Sequence, residues 1–205
     1  MKKLFLTSSF IDVYKYFKSF VGNTKGKTIT FIPTASVKEE YTGYVDNDRK
    51  AFEELGVIID ELDISNTSKN KIEETIQKND FIYISGGNTF YLLQELKVSG
   101  SDEIIRNEIK KGKPYVGASA GSIILSKNIQ FVEKMDDKSK AEKLVNYDAL
   151  NLVDFYTLPH HTNEPFKQIV EEIITDYNNK INLLPISNTE AILVSGGTTE
   201  IVGTK

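Results

Sequence analysis

The stretch Tyr115-Val116-Gly117-Ala118-Ser119-Ala120-Gly121-Ser122-Ile123-Ile124-Leu125 places a serine between two glycines, where one apolar run gives way to another. The turn residues Gly112-Lys113-Pro114 precede it, so the pattern predicts a strand, a sharp turn and a helix. A G-x-S-x-G pentapeptide in that setting is typical of a nucleophile elbow, because the glycines relieve crowding in the turn and the hydroxyl projects freely. The free N–H groups of the following helix favour developing negative charge. Ser119 is therefore the first candidate nucleophile.

Short apolar runs alternate with segments of helical spacing along the rest of the chain. The predicted strands are Leu4 to Thr7, Thr28 to Ile32, Val57 to Leu62, Phe81 to Ser85, Tyr115 to Gly117, Phe155 to Leu158 and Leu183 to Ile186. Their alternation with amphipathic segments predicts an α/β fold, with a mostly parallel central sheet and helices on both faces. Ligands of such a fold gather at the carboxyl ends of the strands. Ala191 to Ser195 and Thr199 to Val202, joined by Gly196-Gly197, predict a C-terminal β-hairpin.

Composition limits the classes of function. The 205 residues are 40% hydrophobic and show no break in composition, which predicts one domain over residues 1–205. The net charge is −4 with acidic and basic residues interspersed, so nucleic acid is not an expected partner. No window is apolar and long enough to span a bilayer, and the N-terminal apolar stretch is too short for a signal peptide. We expect a cytoplasmic protein without a membrane partner.

The chain has no cysteine and only two histidines, which are adjacent in Leu158-Pro159-His160-His161-Thr162-Asn163. The absence of cysteine excludes disulfides, thiolate catalysis and cysteine-ligated zinc, and two neighbouring histidines are a poor metal set. We expect no metal and no other cofactor. The pair follows a predicted strand, so it lies on the same rim as the elbow. His160 or His161 is then the candidate base for Ser119.

A second strand-to-helix junction, Ser85-Gly86-Gly87-Asn88-Thr89-Phe90, contains two further glycines. Its spacing is not that of a dinucleotide or phosphate loop. Asn88 or Thr89 suits the N-cap of the following helix. The turn is either a simple chain reversal or a source of backbone N–H groups, in which case Gly87 and Ala120 would form an oxyanion hole.

Together the glycine-rich junction, the elbow and the histidine motif resemble those of the dipeptidase E family of serine peptidases, peptidase family S51. Phe31-Ile32-Pro33 also fits, so the resemblance covers most of the chain. It implies a fold like that of class I glutamine amidotransferases, with serine in place of their cysteine, and a hydrolase that needs no metal. By position it implies that Ser119 is the nucleophile and His160 the base, with an oxyanion hole from the amides of Gly87 and Ala120.

The third member of the triad departs from the family pattern. When Met135 is aligned, the family's aspartate falls on Lys134, and the nearest acids are Asp136, our first choice, and Glu133, our second. A related branch takes its acid from a later strand end, where this chain has Asn188, so an uncharged partner for the histidine is also possible. The acid would hold the imidazole tautomer and stabilise the imidazolium.

The function that these motifs predict is a dipeptidase E-like exopeptidase, which cleaves small peptides through an acyl-enzyme and exists as a monomer or homodimer. Aspartyl dipeptidases of the family recognise aspartate through basic residues after the histidine motif. Here the chain passes quickly from Asn163 to Glu164-Pro165-Phe166-Lys167, so a preference for aspartate stays open. The alternatives are a degenerate binding module of the same fold, or an isopeptidase or esterase.

Overall fold

A seven-stranded sheet forms the centre of the molecule in the computed structural model, which describes residues 1–204. In spatial order its strands are β3 (Ile58–Glu61), β2 (Thr28–Ile32), β4 (Phe81–Ile84), β5 (Tyr115–Ala118), β1 (Lys3–Thr7), β8 (Glu190–Ser195) and β9 (Thr198–Gly203). The first five are parallel to one another, whereas β8 is antiparallel to β1 and β9 to β8. The predicted mostly parallel α/β sheet and its C-terminal hairpin are confirmed.

Helices cover both faces of this sheet. They are α1 (Phe10–Val21), α2 (Gly43–Glu54), α3 (Lys69–Lys78), α4 (Thr89–Ser99), α5 (Ser101–Lys111), α6 (Ala120–Ile123) and α7 (Lys167–Tyr177). On one face α1 and α2 cover strand residues such as Phe5 and Phe31. On the other face α3, α4 and α5 cover their neighbours Leu4 and Ile32. Successive strand residues point to opposite faces, so nearly continuous apolar runs can fill two cores. No helix within residues 1–204 has the length and apolar character needed to cross a membrane.

Two of the predicted strands lie outside the central sheet. β6 (Tyr156–Leu158) and β7 (Leu183–Pro185) pair in parallel as a separate two-stranded sheet. Beyond β1 the central sheet continues through the C-terminal hairpin, because β8 pairs with β1 and β9 with β8, and not through β6 and β7. Instead, they pack with α7 in a third apolar cluster. This small sheet carries the histidine motif, which follows β6 directly.

The elbow is fixed against its neighbouring strands by close backbone contacts. A Cβ built on Gly121 would lie 2.2 Å from the carbonyl oxygen of Ile84, so only glycine fits there. The Ser122 hydroxyl lies 2.7 Å from the Gly117 carbonyl oxygen and accepts the Thr7 N–H at 2.9 Å. The turn between β5 and α6 is therefore held by β1 and β4 on its two sides.

Candidate active site

Ser119 occupies the sharp turn after β5 in a backbone conformation that is rare for any residue with a side chain, with φ 48° and ψ −109°. Its N–H donates to the Thr7 carbonyl oxygen at 2.9 Å, which ties the strained residue to β1. Such conformations cost about 1–3 kcal/mol and persist only where the surrounding structure imposes them. The strain turns the hydroxyl away from the sheet and toward the histidine motif.

His160 lies directly across from this hydroxyl. Its Nε2 atom is 2.9 Å from the Ser119 Oγ atom. The backbone at His160 is also left-handed, with φ 65°, and its N–H donates to the Ser8 hydroxyl at 3.0 Å. The imidazole stacks on the Phe166 ring, with 4.7 Å between the centroids. A backbone bond on one side and a ring stack on the other therefore fix the direction of the imidazole.

Asn188 is the partner of the other ring nitrogen. Its Oδ1 atom lies 2.9 Å from His160 Nδ1, and its own N–H donates to Asn163 Oδ1 at 2.8 Å. An amide oxygen at Nδ1 favours the tautomer in which Nδ1 carries the proton. The lone pair of Nε2 is then free to accept the proton of Ser119. The structure thus joins Ser119, His160 and Asn188 in one chain of hydrogen bonds.

The structure does not bring Asp136 to His160, and we correct our first choice for the third residue accordingly. Asp136 Oδ2 accepts the N–H of Thr89, the first residue of α4, at 2.9 Å. Glu133, our second choice, lies 3.6 Å from the ammonium group of Lys138. The reason is that the segment after the elbow folds over the start of α4. Of the three residues considered, Asn188 occupies the position next to the imidazole.

Burial lowers the pKa of His160, and the hydrogen bond that its Nδ1–H donates to Asn188 Oδ1 offsets this only in part. The imidazole is therefore neutral at pH 7, which is the form that accepts a proton. His161 has a different environment, because its side chain points to Glu171, with 3.2 Å between Nε2 and Oε1. Of the two candidate bases, only His160 contacts Ser119.

The Gly86-Gly87 turn packs directly against the elbow. A Cβ on Gly86 would lie 3.3 Å from Ser119 Cβ, and Gly87 has φ 132°. Within residues 1–204, the N–H groups of Gly87 and Ala120 donate to no other protein group. Ala120 begins α6, which has only four residues, so its own N–H matters more here than a helix dipole. These two donors are available to an oxygen beside Ser119.

Tyr44 forms the flank of the site beside Gly86. Tyr44 borders this glycine, at 3.6 Å from the Cβ position, and its buried hydroxyl has no hydrogen-bond partner within the described residues. Burial, together with the nearby carboxylates of Glu39, Asp136 and Asp48, raises the pKa of Tyr44 well above its usual value. No sequence pattern marks Tyr44 as a site residue, because a tyrosine in an amphipathic helix is ordinarily a packing residue.

Other contributors were also missed from the sequence. Ser8, Asn163 and Phe166 support His160 or Asn188, although only Asn163 lies in the motif that drew attention. No pattern marks Ser8, since it is distant in sequence and its contact arises only when β1 and β6 come together.

For metals, no group of three or more acidic, histidine or cysteine side chains converges anywhere in residues 1–204.

Comparison with known proteins places the chain among peptidases. The model of peptidase family S51 matches residues 4–202. The chain is 56% identical over 196 residues to the uncharacterized peptidase Lmo0363 of Listeria monocytogenes, covering 96% of each protein. It is 50% identical over 203 residues to the uncharacterized peptidase PM1590 of Pasteurella multocida, covering 99% of this chain and 98% of that protein. Peptidase E of a Nostoc species is 34% identical over 146 residues, or 71% of this chain and 57% of that enzyme.

Solved structures agree with this result. A Listeria monocytogenes protein named provisionally as a peptidase E superimposes with a TM-score of 0.96 at 52% identity, and the match covers both chains completely. A peptidase from an acI-B1 actinobacterium shares the fold, with a TM-score of 0.76 at 21% identity over 100% of this chain and 88% of that one. The chain belongs to peptidase family S51, and it is a serine-type peptidase.

Proposed function

We propose that this protein hydrolyses small peptides through an acyl-enzyme on Ser119, with His160 as the general base. The observation that carries the proposal is the continuous contact from Ser119 Oγ through both nitrogens of His160 to Asn188, with 2.9 Å at each step. A neutral, oriented imidazole beside a serine is the arrangement that nucleophilic catalysis of acyl transfer requires.

The proposed reaction has an acylation stage and a deacylation stage. The Ser119 oxygen attacks the peptide carbonyl while its proton moves to His160 Nε2. The carbonyl oxygen takes up the negative charge and accepts hydrogen bonds from the N–H groups of Gly87 and Ala120. His160 returns the proton to the leaving amine, which departs and leaves an ester on Ser119. Water, activated by the same imidazole, hydrolyses that ester and restores the enzyme.

Asn188 orients the imidazole without adding a charge, which leads to a prediction on pH. Asn188→Asp places a carboxylate beside Nδ1 and stabilises the imidazolium, so the pKa of His160 rises. Because only the neutral ring accepts a proton, the acid limb of kcat/KM moves to a pH about one to two units higher. The measurement is a pH profile of kcat/KM from pH 4 to 9. His161→Gln is the matched control and leaves the profile unchanged, whereas an unmoved limb in Asn188→Asp contradicts the assigned contact.

The substrate proposal is a short peptide with a free N-terminus and a neutral or basic first residue. The carboxylates of Glu39 and Asp136 lie near Tyr44, and the cation beside them, Lys140, is paired with Glu39 at 2.9 Å. Like charges close together in a partly buried site repel, so this flank disfavours an acidic side chain. We therefore do not propose a preference for N-terminal aspartate.

Two measurements test the function. The first is a dipeptide and tripeptide library with N-acetylated copies, in which we expect cleavage of free dipeptides with neutral or basic first residues. The second is labelling by a fluorophosphonate probe, in which we expect one label per chain at Ser119. A folded protein with an unreactive Ser119 would support the alternative of a degenerate binding module. Cleavage of esters or isopeptides alone would support the alternative of an esterase or isopeptidase.

A further inference from the structure

The segment that contains Asp136 holds the start of α4 by two hydrogen bonds. Asp136 Oδ2 accepts the Thr89 N–H at 2.9 Å, and the Asp137 carbonyl oxygen accepts from the side-chain amide of Asn88, also at 2.9 Å. The Asn88 side-chain oxygen in turn accepts the Tyr91 N–H at 2.9 Å, as an N-cap residue does. Asp136 therefore binds a donor that an isolated helix would leave free.

The start of α4 directly follows the Gly86-Gly87 turn, which packs against the elbow. The Asn88 N–H donates to the Ala35 carbonyl oxygen at 2.9 Å, and the Ser85 N–H donates to the Ile32 carbonyl oxygen at 3.0 Å. Gly87 lies between these tethers, two residues before Thr89. At φ 132° it has the conformational freedom of glycine, so the direction of its N–H depends on how its neighbours are held.

We propose that Asp136 is a positioning residue for acyl transfer: its hydrogen bond to Thr89 holds the Gly86-Gly87-Asn88 turn so that the Gly87 N–H points at the carbonyl oxygen of a substrate on Ser119. The inference rests on the proposed function. It gives Asp136 a role in the reaction although it does not contact the histidine. The proposal concerns hydrogen-bond acceptance, which a neutral amide oxygen can also provide.

The surroundings of Asp136 are consistent with its role as a hydrogen-bond acceptor. Burial raises the pKa of Asp136 to about 6, although the hydrogen bond from the Thr89 N–H lowers it. Glu39 raises this pKa further, and Lys140 lowers it. The residue is partly buried, and Lys140 pairs with Glu39 at 2.9 Å. Asp136 is thus placed to hold a backbone N–H in both of its charge states.

The test uses full-length Asp136→Ala and Asp136→Asn, with Glu133→Ala as the matched control from the same segment. Each is assayed on an activated ester and on the thionoester of the same acid, because sulfur is a poor acceptor in an oxyanion hole. We expect Asp136→Ala to lower kcat/KM for the ester by about 10²-fold, the usual effect of losing one oxyanion donor. We expect a smaller loss of kcat/KM for the thionoester, so the ratio of kcat/KM for the ester to that for the thionoester falls.

The conservative variant makes the test specific. Asp136→Asn keeps an acceptor for Thr89, so we expect both its ester activity and its oxygen preference to stay near those of the wild type, as they do in Glu133→Ala. Amide hydrogen exchange over residues 85–90 gives a readout without turnover, and we expect faster exchange only in Asp136→Ala. If that variant does not fold, Asp136→Ser, whose shorter side chain falls short of Thr89, takes its place.

Several outcomes would overturn the proposal. An unchanged ester-to-thionoester ratio in Asp136→Ala would assign the residue to stability alone. An Asp136→Asn variant as impaired as Asp136→Ala would show that the charge, rather than the acceptor, is required. A wild-type protein that hydrolyses neither ester and resists the fluorophosphonate probe would overturn the proposed function itself, whereas full activity in Asp136→Ala would overturn only the present inference.

Discussion

Ser119→Ala lowers peptidase kcat/KM by about 10⁴-fold or more, and His160→Ala costs about as much. The two groups act as a unit, since the serine is a weak nucleophile without the base and the base has no proton to accept without the serine. The double variant is therefore expected to lose little more than either single variant. The measurement is kcat/KM of the two single variants and the double variant on the best dipeptide of the library, with thermal unfolding to show that each chain is folded.

A buried serine in the adjacent turn provides the control for this prediction. The Ser126 hydroxyl is buried and has no hydrogen-bond partner within residues 1–204, so Ser126→Ala removes a hydroxyl of the same kind without touching the site. We expect its activity to equal that of the wild type and its stability to stay equal or rise, because an unsatisfied polar atom is removed. Full activity in Ser119→Ala would refute the nucleophile assignment.

Gly87→Ala is expected to have the second largest effect, through the backbone. A Cβ at this position would lie 2.2 Å from the Ala35 carbonyl oxygen, and φ is 132°, which residues with side chains rarely adopt. The turn must shift, and the Gly87 N–H moves with it. Loss of one oxyanion donor costs about 10²–10³-fold in kcat, and the strain destabilises the fold by about 1–3 kcal/mol.

The assay for Gly87→Ala is kcat together with the free energy of unfolding in urea. Gly197→Ala is the matched control, since a Cβ there meets nothing within 4 Å and its φ lies outside the range that strains a side chain. We expect this control to stay within about 0.5 kcal/mol of the wild type and to keep full activity. A Gly87→Ala enzyme with unchanged kcat would remove Gly87 from the oxyanion hole.

Local patterns were sufficient to predict the fold and to mark Ser119 as a candidate. Alternation of apolar runs and amphipathic segments is a property of neighbouring residues, so the α/β class and the C-terminal hairpin could be predicted, and both are confirmed. The family resemblance is confirmed as well. The Ser119 elbow could be found in the same way, because its glycines and its strand are adjacent in the chain.

Local patterns did not point to the partner of His160; Asn188 was named only as a third possibility, from the family resemblance. Asn188 is 28 residues from His160 and reaches it only because β6 and β7 pair in parallel, which brings the ends of both strands to one place. No spacing rule links the two residues, and the chemical expectation of a carboxylate favoured Asp136. That preference failed because Asp136 follows a segment that returns to α4. Long-range strand pairing, which the sequence does not display, decided the outcome.

The backbone conformation at Ser119 also bears on whether this site is catalytic or belongs to a degenerate binding module. With φ 48° and ψ −109°, the position would suit glycine better, and relief of such strain is worth about 1–3 kcal/mol. A chain that had given up chemistry and served only to bind would become more stable by exchanging this residue for glycine. A side chain at this unfavourable position carries a thermodynamic penalty, which the chemistry proposed for Ser119 would offset.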